Sequence, residues 1–216
     1  MNQDLTQIVT CYATRPHYEL SELLLSKSKD NLISILTDLL TAYINDKNSS
    51  SLREFVTVSI AGYQHNPNKL GYNGYKQNSA IGGKATSCEA KPKNIQTDGY
   101  DLRKTKPKFN CEGGFNDYTP KRLEKDIKEN LNLLSSGFVD GELLYVLEFP
   151  FIVVYKRLKQ ALTKRVGPYL RSATFNFSHF QEHEKLKIIY LNKISIERSK
   201  KYFNKKFFAY LMNGEI

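Results

Sequence analysis

The run Glu142-Leu143-Leu144-Tyr145-Val146-Leu147-Glu148-Phe149 constrains this chain more than any other stretch. It is a dense apolar segment of strand length, closed by Pro150, without the alternation of a strand that has one wet face. A segment of this kind is stable as a central strand covered on both sides, so the chain must also supply covering helices. Several patterns qualify. Glu19, Leu20, Leu23, Leu24 and Leu25 open an amphipathic segment, and Asp30 offers an N-cap to a helix over 31–43 carrying Leu32, Ile33, Ile35, Leu36, Leu39, Leu40 and Tyr43. Leu123, Ile127, Leu131 and Leu134 predict a helix over 121–134, with Thr119 or Asp117 as its cap and Pro120 at its first position. Further helices are expected over 151–164 and, basic and aromatic, over 195–212. Strands are expected over 55–63, where Val56, Val58 and Ile60 alternate with smaller or polar residues, and over 70–76, 84–91 and 172–180, the last paired with 185–191. Residues 136–141 read as a turn.

The fold class that follows is α/β, a central mixed β-sheet flanked by helices. The 216 residues suffice for one substantial core. We expect a single domain, with a helical N-terminal part over about 1–45, a sheet core over about 52–191 and a C-terminal basic helix over about 195–212.

Thirty-two Lys and Arg against 22 Asp and Glu give a formal charge of +10, which favours an anionic partner. Nucleic acid is the commonest, and a ribosome surface or an acidic membrane shares the preference. Between residues 156 and 206 fourteen Lys and Arg face three Glu, so the positive charge concentrates there. Cys11, Cys88 and Cys111 are an odd number without CxxC spacing, which argues against a disulfide framework or a thiolate zinc site. Cys88 is expected to face the core. His179 and His183 lack the glutamate of an HExxH pattern, and Walker, Rossmann, zinc-finger and nucleophile-elbow patterns do not occur. With neither a basic leader before an apolar stretch nor a run of transmembrane length, a cytoplasmic location is expected.

Gly71-Tyr72-Asn73-Gly74-Tyr75 and, further on, Cys88-Glu89-Ala90-Lys91-Pro92-Lys93 carry the chemistry, with Glu89 sixteen residues after Asn73. Residues two apart share a strand face, so Glu89 and Lys91 present a carboxylate and an ammonium side by side. The carboxylate suits a hard cation. The ammonium suits charge developing on a phosphate or on an attacking water. These residues resemble the PD-(D/E)xK nucleases, most closely the small type II restriction endonucleases, in which an acid precedes Glu-x-Lys by about this distance.

The resemblance implies Mg²⁺-dependent hydrolysis of double-stranded DNA by a homodimer, with no membrane association. Residue 73, Glu89 and Lys91 would be the catalytic set, and Asn73, Glu89 and the Ala90 carbonyl the metal ligands. Glu54 joins them because an upstream helical Glu serves the metal site in some relatives; the plain alternative is an exposed surface glutamate. Tyr72 stands where the family has proline, and Asn73 where it has aspartate. Either Asn73 is an engineered inactivating substitution, or it is a natural variant with weak metal use, or the acid is Asp98, Asp101 or Asp117; the first is our working expectation. The irregular stretch 94–120 carries Arg103, Lys104, Lys106 and Lys108, which with Lys93, Asn116 and Tyr118 form the expected DNA-binding set. Gly113-Gly114 reads as a tight loop approaching a ligand. The chief alternative is a non-catalytic basic nucleic-acid-binding protein; an RNA-associated factor is a third reading.

Overall fold

The computed structural model describes residues 3–46, 50–66, 72–77, 85–97, 109–129, 131–164 and 170–214. It divides into two compact units, Met1–Ser50 and Ser51–Ile216. The first holds helices α1 (Gln3–Thr14), α2 (His17–Leu25) and α3 (Lys29–Asn45). Ser28 caps α3, its Oγ accepting from the Asn31 N–H at 3.2 Å, so Asp30, expected as the cap, lies in the first turn instead. Asp4 joins α1 to the start of α3, accepting from Lys27 Nζ at 2.7 Å and Asn31 Nδ2 at 3.0 Å.

The second unit carries a six-stranded mixed sheet. Its strands are β1 (Gln64–His65), β2 (Gly74–Lys76), β3 (Thr86–Ile95), β5 (Asn132–Val139), β6 (Glu142–Pro150) and β8 (Lys187–Leu191), in the order β1-β2-β3-β5-β6-β8. β3 and β5 are parallel and the other pairs antiparallel. A separate antiparallel ribbon joins β4 (Gly113–Tyr118) to β7 (Leu170–Phe175). The expected α/β mixed sheet is present, and β6 is the buried strand its apolar run demands, with Leu144 to Leu147 all at 1% exposure or less.

One sheet face is covered by α4 (Ser51–Ile60), over Cys88, Ala90, Leu134 and Val146. The other holds a larger, aromatic-rich core built from Phe109, Phe115, Phe149, Phe175, Phe177 and Phe207 among others. This second side also carries α5 (Pro120–Lys128), α6 (Ile152–Thr163), α7 (Lys193–Arg198) and α8 (Lys205–Asn213).

Several expectations are corrected. Residues 55–63 are not a strand: α4 buries Arg53, Thr57 and Val58, and its end leads into buried Ala61, which is helical spacing. Phe55 and Ile60 are nearly half exposed, so the β-branched alternation was incidental to burial. The helix expected over 121–134 ends at Lys128, because Leu131 and Leu134 lead into and form β5. Ser136-Gly137, the start of the turn expected over 136–141, lies in the middle of that buried strand, where Ser136 Oγ meets Thr57 Oγ1 at 2.6 Å. The turn is confined to Asp140-Gly141, both at positive φ (48° and 84°), as a two-residue hairpin requires. β7 pairs with β4 and not with β8, so Gly113-Gly114 begins a strand rather than a loop. The single helix expected over 195–212 is two, separated where Asn204 caps α8. No described helix is long and apolar enough to cross a membrane.

Cys88 and Cys111 are fully buried, Cys88 facing the core as expected. Burial pushes both thiols up to about 12. An unfolded thiol titrates at about 8.5. Since the folded value is the raised one, this stability is fully present below about pH 8.5 and is lost as pH rises toward 12. The free energy of urea unfolding should therefore fall by up to about 1.4 kcal/mol per pH unit for each thiol in that window. A flat profile from neutral pH to about pH 11 would show that the thiols ionise in the folded state.

Candidate active site at the open edge of the third strand

β2 is short and begins at Gly74, whereas β3 continues from its partner Cys88 to Ile95. Beyond Cys88 the β2 side of β3 therefore has no strand neighbour among the described residues. Pro92 sits on this stretch, where its missing N–H costs no ladder bond. Asn73 fills the first vacancy with its side chain: Oδ1 accepts from the Ala90 N–H at 2.8 Å. Its Nδ2 donates to Glu54 Oε2 at 2.9 Å, and its backbone oxygen accepts from the Asn66 N–H at 2.8 Å. One amide thus joins helix α4 to the Glu89–Ala90 peptide. Reversing it would set N–H against N–H and oxygen against carboxylate, so the observed orientation is the stable one.

The position of β2 under α4 makes this bridge possible. A Cβ on Gly74 would lie 2.6 Å from Val58 Cγ1 and 2.8 Å from the Gln64 carbonyl. Gly74→Ala should therefore push β2 away from α4 at a cost of about 1–3 kcal/mol. It should also part Asn73 from Glu54. A thermal midpoint within about 1 °C of the parent protein would contradict this close packing.

Glu89 and Lys91 lie on the opposite face of β3 from Cys88 and Ala90. Lys91 Nζ donates to Glu89 Oε1 at 2.8 Å and stands 4.6 Å from the centre of the Phe115 ring. Their side chains are 14% and 20% exposed, sheltered yet open to a ligand. Lys93, next along the same face, pairs with Glu112. A line of contacts thus runs from Glu54 through the Asn73 amide to the Ala90 N–H, and the Glu89–Lys91 pair flanks that residue on the other face of β3. The donors are all oxygen and suit a hard cation, with Asn73 bracing Glu54.

The remaining sequence-derived residues are distributed unevenly. Arg103, Lys104, Lys106 and Lys108, together with Asp98 and Asp101, lie outside the described residues. Asn116 is exposed on β4, as is Asp117, which has φ of 49°. Tyr118, expected to contact DNA, is 1% exposed and donates its hydroxyl to Asp126 at 2.9 Å; it is a core residue. His179 serves as a local cap, its Nδ1 accepting from the Asn176 N–H at 3.0 Å. Every described Lys and Arg between residues 156 and 206 is exposed.

No protein-family model matches the chain, and no curated protein matches it either. The chemistry of the site therefore carries the functional reading. Sequence reasoning missed one element of it. Asp126 is completely buried and accepts from Tyr72 Oη at 3.0 Å and Arg122 Nε at 2.7 Å as well as from Tyr118. The i, i+4 spacing of Arg122 and Asp126 on α5 was the available signal, and it looked like an ordinary solvated helix pair.

Proposed function

We propose that this chain is a Mg²⁺-dependent endonuclease that hydrolyses phosphodiester bonds of double-stranded DNA in the manner of type II restriction enzymes, as a homodimer. The observation that supports this most is the Asn73 bridge, which ties the helical Glu54 to the peptide between Glu89 and the residue preceding Lys91. The exposed basic C-terminal third adds the charge a DNA-binding surface needs.

Glu54, Glu89 and the Ala90 carbonyl would hold the cation. Bound Mg²⁺ would lower the pKa of a coordinated water and offset charge on the scissile phosphate. Asn73 keeps Glu54 oriented without adding charge of its own. Lys91, held by Glu89 at 2.8 Å, would orient the attacking water and stabilise the negative charge that develops on the phosphoryl oxygens. Phe115 beneath its Nζ limits the conformations Lys91 can take.

The test is cleavage of plasmid or phage DNA with Mg²⁺ by the parent protein and by Glu89→Ala, Lys91→Ala, Asn73→Asp and Asn73→Asp with Glu89→Ala. Discrete fragments are expected, slowed at least about 100-fold by loss of Glu89 or Lys91. Asn73→Asp should cut faster than the parent and lose that gain with Glu89→Ala. A second reading, a non-catalytic DNA-binding protein, is favoured by one observation: among the described residues no three His, Cys, Asp or Glu side chains are clustered to hold a metal. Tight, salt-sensitive duplex binding without cleavage by any variant would establish that reading instead.

A further inference from the structure

Helix α5 presents a second cation beside the proposed site, and it is built differently from a surface arginine. The Arg122 side chain is 34% exposed, yet its Nε is fixed at 2.7 Å on Asp126, whose side chain is 0% exposed. Tyr72 Oη and Tyr118 Oη hold the same carboxylate from β2's leading segment and from β4. The guanidinium carries five N–H donors. Only Nε has a hydrogen-bond partner among the described residues, so the terminal nitrogens are left for something else. Arg122 also lies over the Tyr72 ring, 5.3 Å from its centre, as does Lys125 Nζ. Tyr72 precedes Asn73, whose amide holds the Ala90 N–H, so a continuous line of contacts runs from Arg122 to the Glu89–Ala90 peptide. Burial opposes the charge on Arg122, and Asp126, with Glu89 behind it, more than restores it. The field of Glu89 reaching Arg122 puts both groups in one electrostatic neighbourhood.

The surface around Arg122 is concave, with a cavity of about 530 Å³ whose charged lining is Lys121, Arg122, Lys125 and Lys128 against Glu124 and Glu129. That size accommodates a small ligand or one unit of a larger one. Fixed by Nε, with its terminal nitrogens unused, a guanidinium is suited to grip two oxygens of one phosphate.

We propose that Arg122, assisted by Lys125, binds a phosphate of the substrate strand next to the one being cleaved, with Asp126 holding the guanidinium in place. This deepens the nuclease reading and rests on it. Lys91 would then act at the scissile phosphate, and Arg122 at its neighbour.

The experiment follows the side-chain Nε–H resonance of Arg122 by NMR while inorganic phosphate, and separately a short DNA duplex, is titrated into the full chain. Cleavage by Arg122→Lys, Arg122→Gln and Lys125→Gln is measured in parallel. We expect the resonance to shift with both ligands and more strongly with duplex. Arg122→Lys, which keeps the charge but not the fork, should lower kcat/KM about tenfold or more. Lys125→Gln leaves the Asp126 node intact and guards against loss of fold in Arg122→Gln; it should weaken duplex binding while the thermal midpoint holds. If the resonance does not move, and Arg122→Lys and Lys125→Gln behave as the parent does, the proposal is overturned even where the parent cuts DNA. A parent that cuts nothing, but whose Arg122 resonance shifts with phosphate, would refute the nuclease reading and retain Arg122 as a phosphate site. A shift with inorganic phosphate but none with duplex would overturn the assignment to a nucleic-acid strand.

Discussion

Asp126→Ala is expected to destabilise the protein by about 2–4 kcal/mol, because it strands the hydrogen-bond donors gathered on a buried carboxylate. The carboxylate is 0% exposed and accepts three hydrogen bonds, from Tyr72, Tyr118 and Arg122. Its removal leaves the hydroxyl of Tyr118, a residue only 1% exposed, without a partner. Burial, and then the neighbouring carboxylate, holds the Tyr72 and Tyr118 phenols well above their ordinary titration range, so both remain donors at neutral pH. Against a typical total of about 5–15 kcal/mol, such a loss would leave a marginal domain partly unfolded. Asp126→Asn keeps an acceptor for the phenols and should cost less, about 1–3 kcal/mol. Urea unfolding of the two variants decides the matter. A change below about 1 kcal/mol for Asp126→Ala would mean that the node carries little of the fold.

Sequence and structure parted where long-range packing overrode the local pattern. β6 was legible because an uninterrupted apolar run has few other stable uses, and α6 because its helical spacing is followed by the burial of Val154, Leu158 and Leu162. β5 was hidden by Ser135 and Ser136, which pattern reasoning places outside a core. Ser136 is tolerated there because Thr57 satisfies its hydroxyl. α4 was hidden by its β-branched residues, whose preference for strands yields to the helical face that covers Cys88 and Ala90. The pairing of β7 with β4 is a long-range choice that alternation within either segment does not specify.

In the site, spacing was sufficient to pair Glu89 with Lys91, since strand periodicity alone sets them on one face. Glu54 is named on the resemblance and stands just before the segment expected as a strand; helix α4, which includes it, brings it within 2.9 Å of Asn73. The role of residue 73 was not legible. A motif comparison asks whether an acid is present, whereas the structure shows an amide using both its donor and its acceptor.

That double use makes Asn73→Asp the most informative substitution in the chain. An aspartate can still accept from the Ala90 N–H, but it turns the donation to Glu54 into a contact between two carboxylates near 2.9 Å. Without a cation the variant should lose about 2–4 kcal/mol, combining a broken charge-assisted hydrogen bond with like-charge repulsion. Two carboxylates, at 54 and 73, would then face each other beside the Ala90 peptide, and a hard cation would relieve the repulsion. At about 100 times its dissociation constant, Mg²⁺ should return about 2.7 kcal/mol. The parent protein, with Glu54 already braced by an amide, should gain less from the same addition. Thermal unfolding of both proteins in chelator and in Mg²⁺ measures this without reference to catalysis. A variant as stable as the parent in chelator would show that Glu54 turns away from residue 73 at little cost. A variant destabilised in chelator and indifferent to Mg²⁺ would show that these carboxylates do not form a cation site, and would leave Asn73 as a structural bridge between α4 and β3.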